Sequence, residues 1–165
     1  MIHEHELTLG VSLNDRGFGY VVLQGPTRLV DWKVKRTPPP KIQKTIEGIG
    51  ALIGLYRPSH LVFDAPDDGL ARRALRTNLL LRAIGRCAAD HGVIPVPVPL
   101  AAVTEAFAPM EASTRHDIAQ LLTMQFPELS PYIPPRRRLW DSESRAMSVF
   151  NATALVMTFF ERGAD

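Results

Sequence analysis

The chain has 165 residues, 45% of them hydrophobic and 22% charged, with a formal net charge of +2. That length allows one domain with a sizeable core, and so small a charge leaves nucleic-acid binding to be argued from where the basic residues lie. One cysteine, no membrane-length apolar run and no signal-peptide start exclude an internal disulfide and a membrane span, and lead us to expect a cytoplasmic protein.

The first three segments read as an antiparallel meander. Leu7, Leu9, Val11 and Leu13 alternate with Thr8, Gly10 and Ser12, the polar knot Asn14-Asp15-Arg16-Gly17 makes a turn, and a second strand runs over Phe18–Leu23. After Gln24-Gly25-Pro26, Val30, Trp32 and Val34 alternate with Asp31, Lys33 and Lys35, which gives a third strand with one wet face. Pro38-Pro39-Pro40 stops the ladder.

Ile42, Ile46, Ile49, Ile53 and Tyr56 recur at helical spacing up to Arg57-Pro58. His60-Leu61-Val62-Phe63-Asp64 is a short apolar strand with a carboxylate at its C-terminal tip. A second helix spans about Leu70 to His91, with Leu81, Ile84 and Ala88 on one side and Arg72, Arg76, Arg82 and Arg86 on the other. In Val93–Pro99 the prolines alternate, so a strand there belongs at a sheet edge. Short helices follow over Leu100–Phe107 and Thr114–Phe126. A proline-rich stretch then leads to Arg136-Arg137-Arg138, and a last helix runs from Ser142 to about Glu161 with Ala146, Val149, Phe150, Thr153, Met157 and Phe160 on its buried face. A meander followed by strand–helix units predicts an α/β fold, one domain over residues 1–165, with a mixed sheet and helices packed on both faces.

Several short motifs in this order are similar to those of one family. They are Gly10-Val11-Ser12 on the first strand, Asn14-Asp15-Arg16 in the turn, Gly19-Tyr20 opening the second strand, and Leu61–Asp64 on the fourth. Leu81–Arg86, Val93–Val96, Ser113–Ile118 and Asp141-Ser142-Glu143 continue the match to the last helix. Together they resemble the RuvC-type Holliday-junction resolvases of the ribonuclease H-like superfamily. The resemblance implies a five-stranded sheet of order 3-2-1-4-5, a three-strand antiparallel meander plus two parallel strands, whose edge position suits the prolines of the fifth. It also implies a homodimer, branched or structured DNA as partner, and Mg²⁺ or Mn²⁺ held by carboxylates from the first strand, the fourth strand and the last helix.

Such two-metal hydrolysis of a phosphodiester needs several hard oxygen ligands around ions about 4 Å apart. Asp64 is the first candidate, because a carboxylate closing a Leu-Val-Phe run is costly to bury without a partner. Glu143 lies on the flank of the last helix's buried face and is the second. Asp141 is either that helix's N-cap or a further ligand. If Ser144 is the match to the family's terminal aspartate, that ligand is missing. The first strand carries Ser12 where the family has an aspartate, so Asp15 in the turn either supplies the carboxylate or is a solvated turn residue. Arg16, Arg115, Arg136, Arg137 and Arg138 are the candidate phosphate contacts. No Walker or Rossmann glycine pattern is present, and no nucleotide cofactor is expected. Two functions remain: a metal-dependent, structure-selective DNA endonuclease, or the same fold with a degenerate site that binds nucleic acid or a protein partner without cleavage.

Overall fold

The meander consists of β1 (Leu7–Asn14), β2 (Gly17–Gln24) and β3 (Arg28–Arg36), each antiparallel to its predecessor. In the computed structural model, which describes residues 5–67, 72–135 and 144–163, it is followed by helix α1 (Lys41–Tyr56), strand β4 (His60–Asp64), helix α2 (Arg72–Asp90) and strand β5 (Ile94–Val98). Three further helices, α3 (Leu100–Phe107), α4 (Arg115–Gln125) and α5 (Met147–Glu161), complete the described chain, with short 3-10 turns at Ala108–Met110 and Pro127–Tyr132.

The sheet order is β3-β2-β1-β4-β5, with β4 parallel to both β1 and β5. This is the α/β mixed sheet the sequence predicts, with β5 at an edge. The alternating prolines explain that position: Pro95 and Pro97 have no N–H for an outer neighbour, while the N–H of Ile94 bonds inward to the Ser59 carbonyl (3.0 Å).

Period-two alternation divides the sheet's side chains between two cores. Leu9, Val11, Phe18, Tyr20, Val22, Leu61 and Phe63 face α1 and α2, meeting Ile49, Ile53, Leu81 and Ile84. Val21, Leu23 and Val62 face α5, which is in turn covered by α3 and α4. Cys87 lies in the first of these cores as a buried thiol. Burial, with Asp90 adding to it, pushes that thiol's pKa up, away from reactivity.

Two expectations about local structure need correction. Val30 is 37% exposed rather than facing the core, because the β2–β3 register shifts between Val22 and Leu23 and the extra residue is bulged out. Leu29, Trp32 and Val34 pack inward instead. The last helix starts at Met147, not Ser142. Residues 144–146 form a turn, in which the Ser144 hydroxyl accepts from the Ala146 N–H (3.3 Å) and the Ser144 carbonyl from the Met147 N–H (3.0 Å). Its buried surface is also wider than one stripe. Met147, Val149, Phe150, Ala152, Ala154, Leu155, Val156 and Phe159 are all buried, while Met157 and Phe160 are only partly so. Layers on both sides of α5 cause this, and Thr153 and Thr158 satisfy their buried hydroxyls on the carbonyls four residues back (2.8 Å each).

A polar clamp braces the outer strand. The hydroxyls of Tyr20 (2.7 Å) and Tyr56 (2.5 Å) both donate to one oxygen of Asp31, and the Trp32 N–H donates to the other (2.9 Å). Burial alone would raise the Asp31 pKa, but these hydrogen bonds outweigh it and hold the carboxyl below the usual range. The Tyr56 phenol is correspondingly pushed up to about 12, by its bond to the carboxylate and by burial. One carboxylate thereby ties β2, β3 and α1 together.

The sheet and α5 approach closely at two glycines. A Cβ on Gly10 of β1 would lie 2.8 Å from the Ala152 carbonyl, and one on Gly19 of β2 would lie 2.6 Å from the backbone carbon of Ser148 and 2.7 Å from the Val149 nitrogen. Helix backbone cannot yield as a flexible side-chain tip can. Gly19→Ala is therefore expected to destabilise the fold by about 1–3 kcal/mol, the usual scale of overpacking. Urea unfolding with the slope held in common with wild type would measure it, and an unchanged midpoint would count against this packing.

Candidate functional site

The second face of β1 answers to β4 and α5. Leu9–Leu61, Gly10–Val62 and Val11–Phe63 are paired in parallel, so Ser12 comes next to Asp64 at the C-terminal ends of the two strands. Strand ends of this kind are where polar side chains leave the ladder and open onto a crevice. A cleft of about 150 Å³ lies there, with Ser12, Asp64, Thr104, Ser113, Arg115 and Asn151 as its polar lining. Leu100, Val103, Phe150 and Leu155 supply apolar wall.

Each polar group is delivered by a different element. Ser12, only 3% exposed, is held on β1 next to Asp64 in the strand register. Asp64 ends β4 because the preceding Leu61, Val62 and Phe63 are buried on the two faces of the sheet. Arg115 opens α4, whose start is fixed by a capping box: the Thr114 hydroxyl accepts from the Asp117 N–H (3.1 Å) and the Asp117 carboxylate accepts from the Thr114 N–H (3.3 Å). Asn151 sits in the first turns of α5, between Phe150 and Ala152.

Burial raises the Asp64 pKa above its ordinary value. The positive charge of Arg115 and the hydrogen bond from Ser12 act against that rise without cancelling it. Asp64 thus differs from Asp31, where the bonds win. Among the described residues lining the cleft it is the sole carboxylate. The lining can accept and donate hydrogen bonds, and its guanidinium suits a phosphate oxygen.

The sequence-derived site residues divide into three groups. Asp64 and Arg115 come together in this cleft. Asp15 and Arg16 lie exposed at the tip of the β1–β2 turn and are not among the cleft's lining residues. Asp15 is engaged by Arg145, whose Nε donates at 2.9 Å and Nη2 at 3.4 Å, and this bond, against a small desolvation effect, keeps its carboxyl below the usual range. The side chain that makes the turn is Asn14: its Oδ1 accepts from the Arg16 N–H (2.9 Å) and its Nδ2 donates to the Ser148 hydroxyl (3.1 Å), fastening the hairpin to the start of α5. Asp141, Glu143, Arg136, Arg137 and Arg138 lie outside the described residues.

Asn151, Thr104 and Ser113 were not identified from the sequence. Thr104 and Ser113 carry no signal of their own in short helical and turn segments. Asn151 does carry one: it is the only amide in the apolar run Val149–Phe160, and such a group needs a polar outlet.

No family model and no curated protein matches the sequence. Solved structures do match over nearly its full length. Thermus thermophilus RuvC in complex with Holliday junction substrate is 14% identical, with a TM-score of 0.66 over 96% of this chain and 97% of that one. A second structure of Thermus thermophilus RuvC is 16% identical, with a TM-score of 0.61 over 95% and 96% of the two chains. The fold of this chain is therefore RuvC-like.

The raised Asp64 pKa has a defined consequence for stability. A folded-state pKa above the unfolded value near ~3.9 means that ionisation is disfavoured in the folded protein. Stability linked to this group is complete below that unfolded value and falls as pH rises through the folded one. Asp64→Asn, which removes the ionisation, is expected to raise the melting temperature at neutral pH, with the advantage shrinking towards zero in acid. Thermal melts across pH would check this, and a destabilised variant at neutral pH would contradict it.

Proposed function

We propose that this chain is a nucleic-acid-binding protein that holds branched or otherwise structured DNA on a RuvC-like fold and does not cut it by two-metal chemistry. The observation that carries this reading is the cleft: among the described residues, one carboxylate, one guanidinium and four neutral polar groups stand where the strands and last helix converge. Binding is supported by the whole-length likeness to a RuvC solved with junction DNA. Arg115 at the cleft is the first phosphate contact of the proposal, with Arg16 at the exposed hairpin tip and Arg136, Arg137 and Arg138 as the others.

A metal-dependent endonuclease is the second reading. It is favoured by Asp64 at the strand tip together with the acidic residues Asp141 and Glu143, which in that case hold Mg²⁺ or Mn²⁺ with it. One set of assays separates the two: binding to synthetic four-way junction, flap and duplex DNA at low salt with EDTA, then incubation with Mg²⁺ or Mn²⁺ beside Asp64→Ala. Binding without cutting is the expected result. Arg115→Ala is expected to weaken binding to every sequence alike and to lower the slope of log affinity against log salt by about one, the signature of a single lost phosphate contact. Cutting that depends on Asp64 would establish the endonuclease, and no binding to any of the three DNAs would remove both readings.

The proposal includes a homodimer, since a four-way junction presents two symmetry-related faces. Leu75 and Leu79, one helical turn apart on α2, are 49% and 58% exposed and form the apolar surface offered for it. Leu79→Asp is expected to give a monomer in sedimentation with the fold intact, because isolated surface substitutions shift stability by only about 0.5 kcal/mol. A wild-type monomer at micromolar concentration, or a variant dimer, would rule this surface out.

A further inference from the structure

The inference here rests on the same cleft and concerns its cation. A divalent ion such as Mg²⁺ takes hard oxygen ligands in near-octahedral geometry, and a pair of such ions draws on several carboxylates. Among the described residues, no group of three His, Cys, Asp or Glu side chains converges anywhere. Asp64 shares the cleft's lining with Ser12, Asn151 and Arg115. Among the described residues these do not fit a two-metal centre: they bring one carboxylate, two neutral groups and a guanidinium to the cleft.

The positions of the neutral groups are informative. Ser12 on β1 and Asn151 on α5 are the polar cleft residues of two elements that pack against β4, the strand that ends in Asp64. α5 is held at that distance by Gly10 and Gly19, and the Asn14–Ser148 hydrogen bond fixes its first turn. Asn differs from Asp by one terminal group of equal size. A carboxylate at 12, 64 and 151 would give three converging acids on a rigid frame, which is what a divalent site requires.

We infer that the Arg115 guanidinium is the resident cation of this cleft, and that Ser12 and Asn151 are the two positions whose neutral side chains keep a divalent ion out. Arg115 then serves Asp64 and an incoming phosphate from the same place. Metal is not needed for either contact.

The test reads metal binding directly, apart from any activity. Mn²⁺ is titrated into the full chain and its free-ion electron paramagnetic resonance signal is followed, with thermal melts in parallel. Wild type is expected to show no saturable binding through the millimolar range and no Mn²⁺-dependent rise in melting temperature. Ser12→Asp combined with Asn151→Asp is expected to bind Mn²⁺ at least roughly tenfold more tightly than wild type, a scale reached even by changes to a ligand's outer partners. Adding Asp64→Asn to that pair is expected to abolish the gain. Ser12 is tightly enclosed, so if the pair does not fold, Asn151→Asp alone, which conserves size, carries the same expectation in weaker form.

Saturable wild-type binding that is lost in Asp64→Asn or Glu143→Gln would overturn the inference. So would a folded acidic variant that gains nothing. Junction binding in EDTA, measured on the same samples, reports separately on the proposed function: its failure would leave the metal result standing, and the reverse holds too.

Discussion

Helix α5 can lie on the centre of the sheet only because Gly10 and Gly19 present hydrogen atoms to its backbone. The rest of the architecture depends on that approach. With α5 so close, β1 and β2 are sealed on one face, Thr153 and Thr158 are driven to bond within their own helix, and α3 and α4 must cover the outer side. The same approach brings Asn151 to the ends of β1 and β4. A helix displaced outward by even a methyl group would lose dispersion contacts along its length and enlarge the crevice below it.

Two carboxylates show how differently this frame treats a buried charge. Asp31 receives two phenolic hydroxyls and a backbone N–H, and its ionised form is favoured despite burial. Asp64 receives one hydroxyl and the field of an arginine, and burial prevails. The first therefore acts as a brace across three elements. The second is a group with unused accepting capacity at the mouth of a cleft, the usual condition of a residue retained for contact with something else.

The hairpin tip follows a different logic again. Asp15 and Arg145 are about half exposed, and a pair of that kind contributes little to stability. What it does is occupy Asp15. Together with the Asn14–Ser148 bond it orients the turn towards α5, and neither Asp15 nor Arg145 is among the described residues lining the cleft.

Much of the fold was legible in local pattern, because periodicity, proline and capping act over a few residues. Alternation marked β1 and β3, spacings of three and four marked α1, and the prolines of 95–99 marked an edge strand, all from neighbours in sequence. Pattern misled where a neighbouring element intervened. The bulge that exposes Val30 depends on register with β2, and the all-round burial of α5 depends on helices packed on its far side. At the site, Asp64 could be singled out by its place after an apolar run, and Arg115 through the resemblance. Asn151 carries a signal as the lone amide of an apolar run, but which outlet it serves depends on what packs around it. The sequence by itself determined the order of elements, the edge of the sheet and the fact that β1 ends its inner face in a serine. Only the tertiary structure decided that positions 12, 64, 115 and 151 share one cleft, because that convergence comes from strand register and the close seat of α5, contacts between residues far apart in the chain.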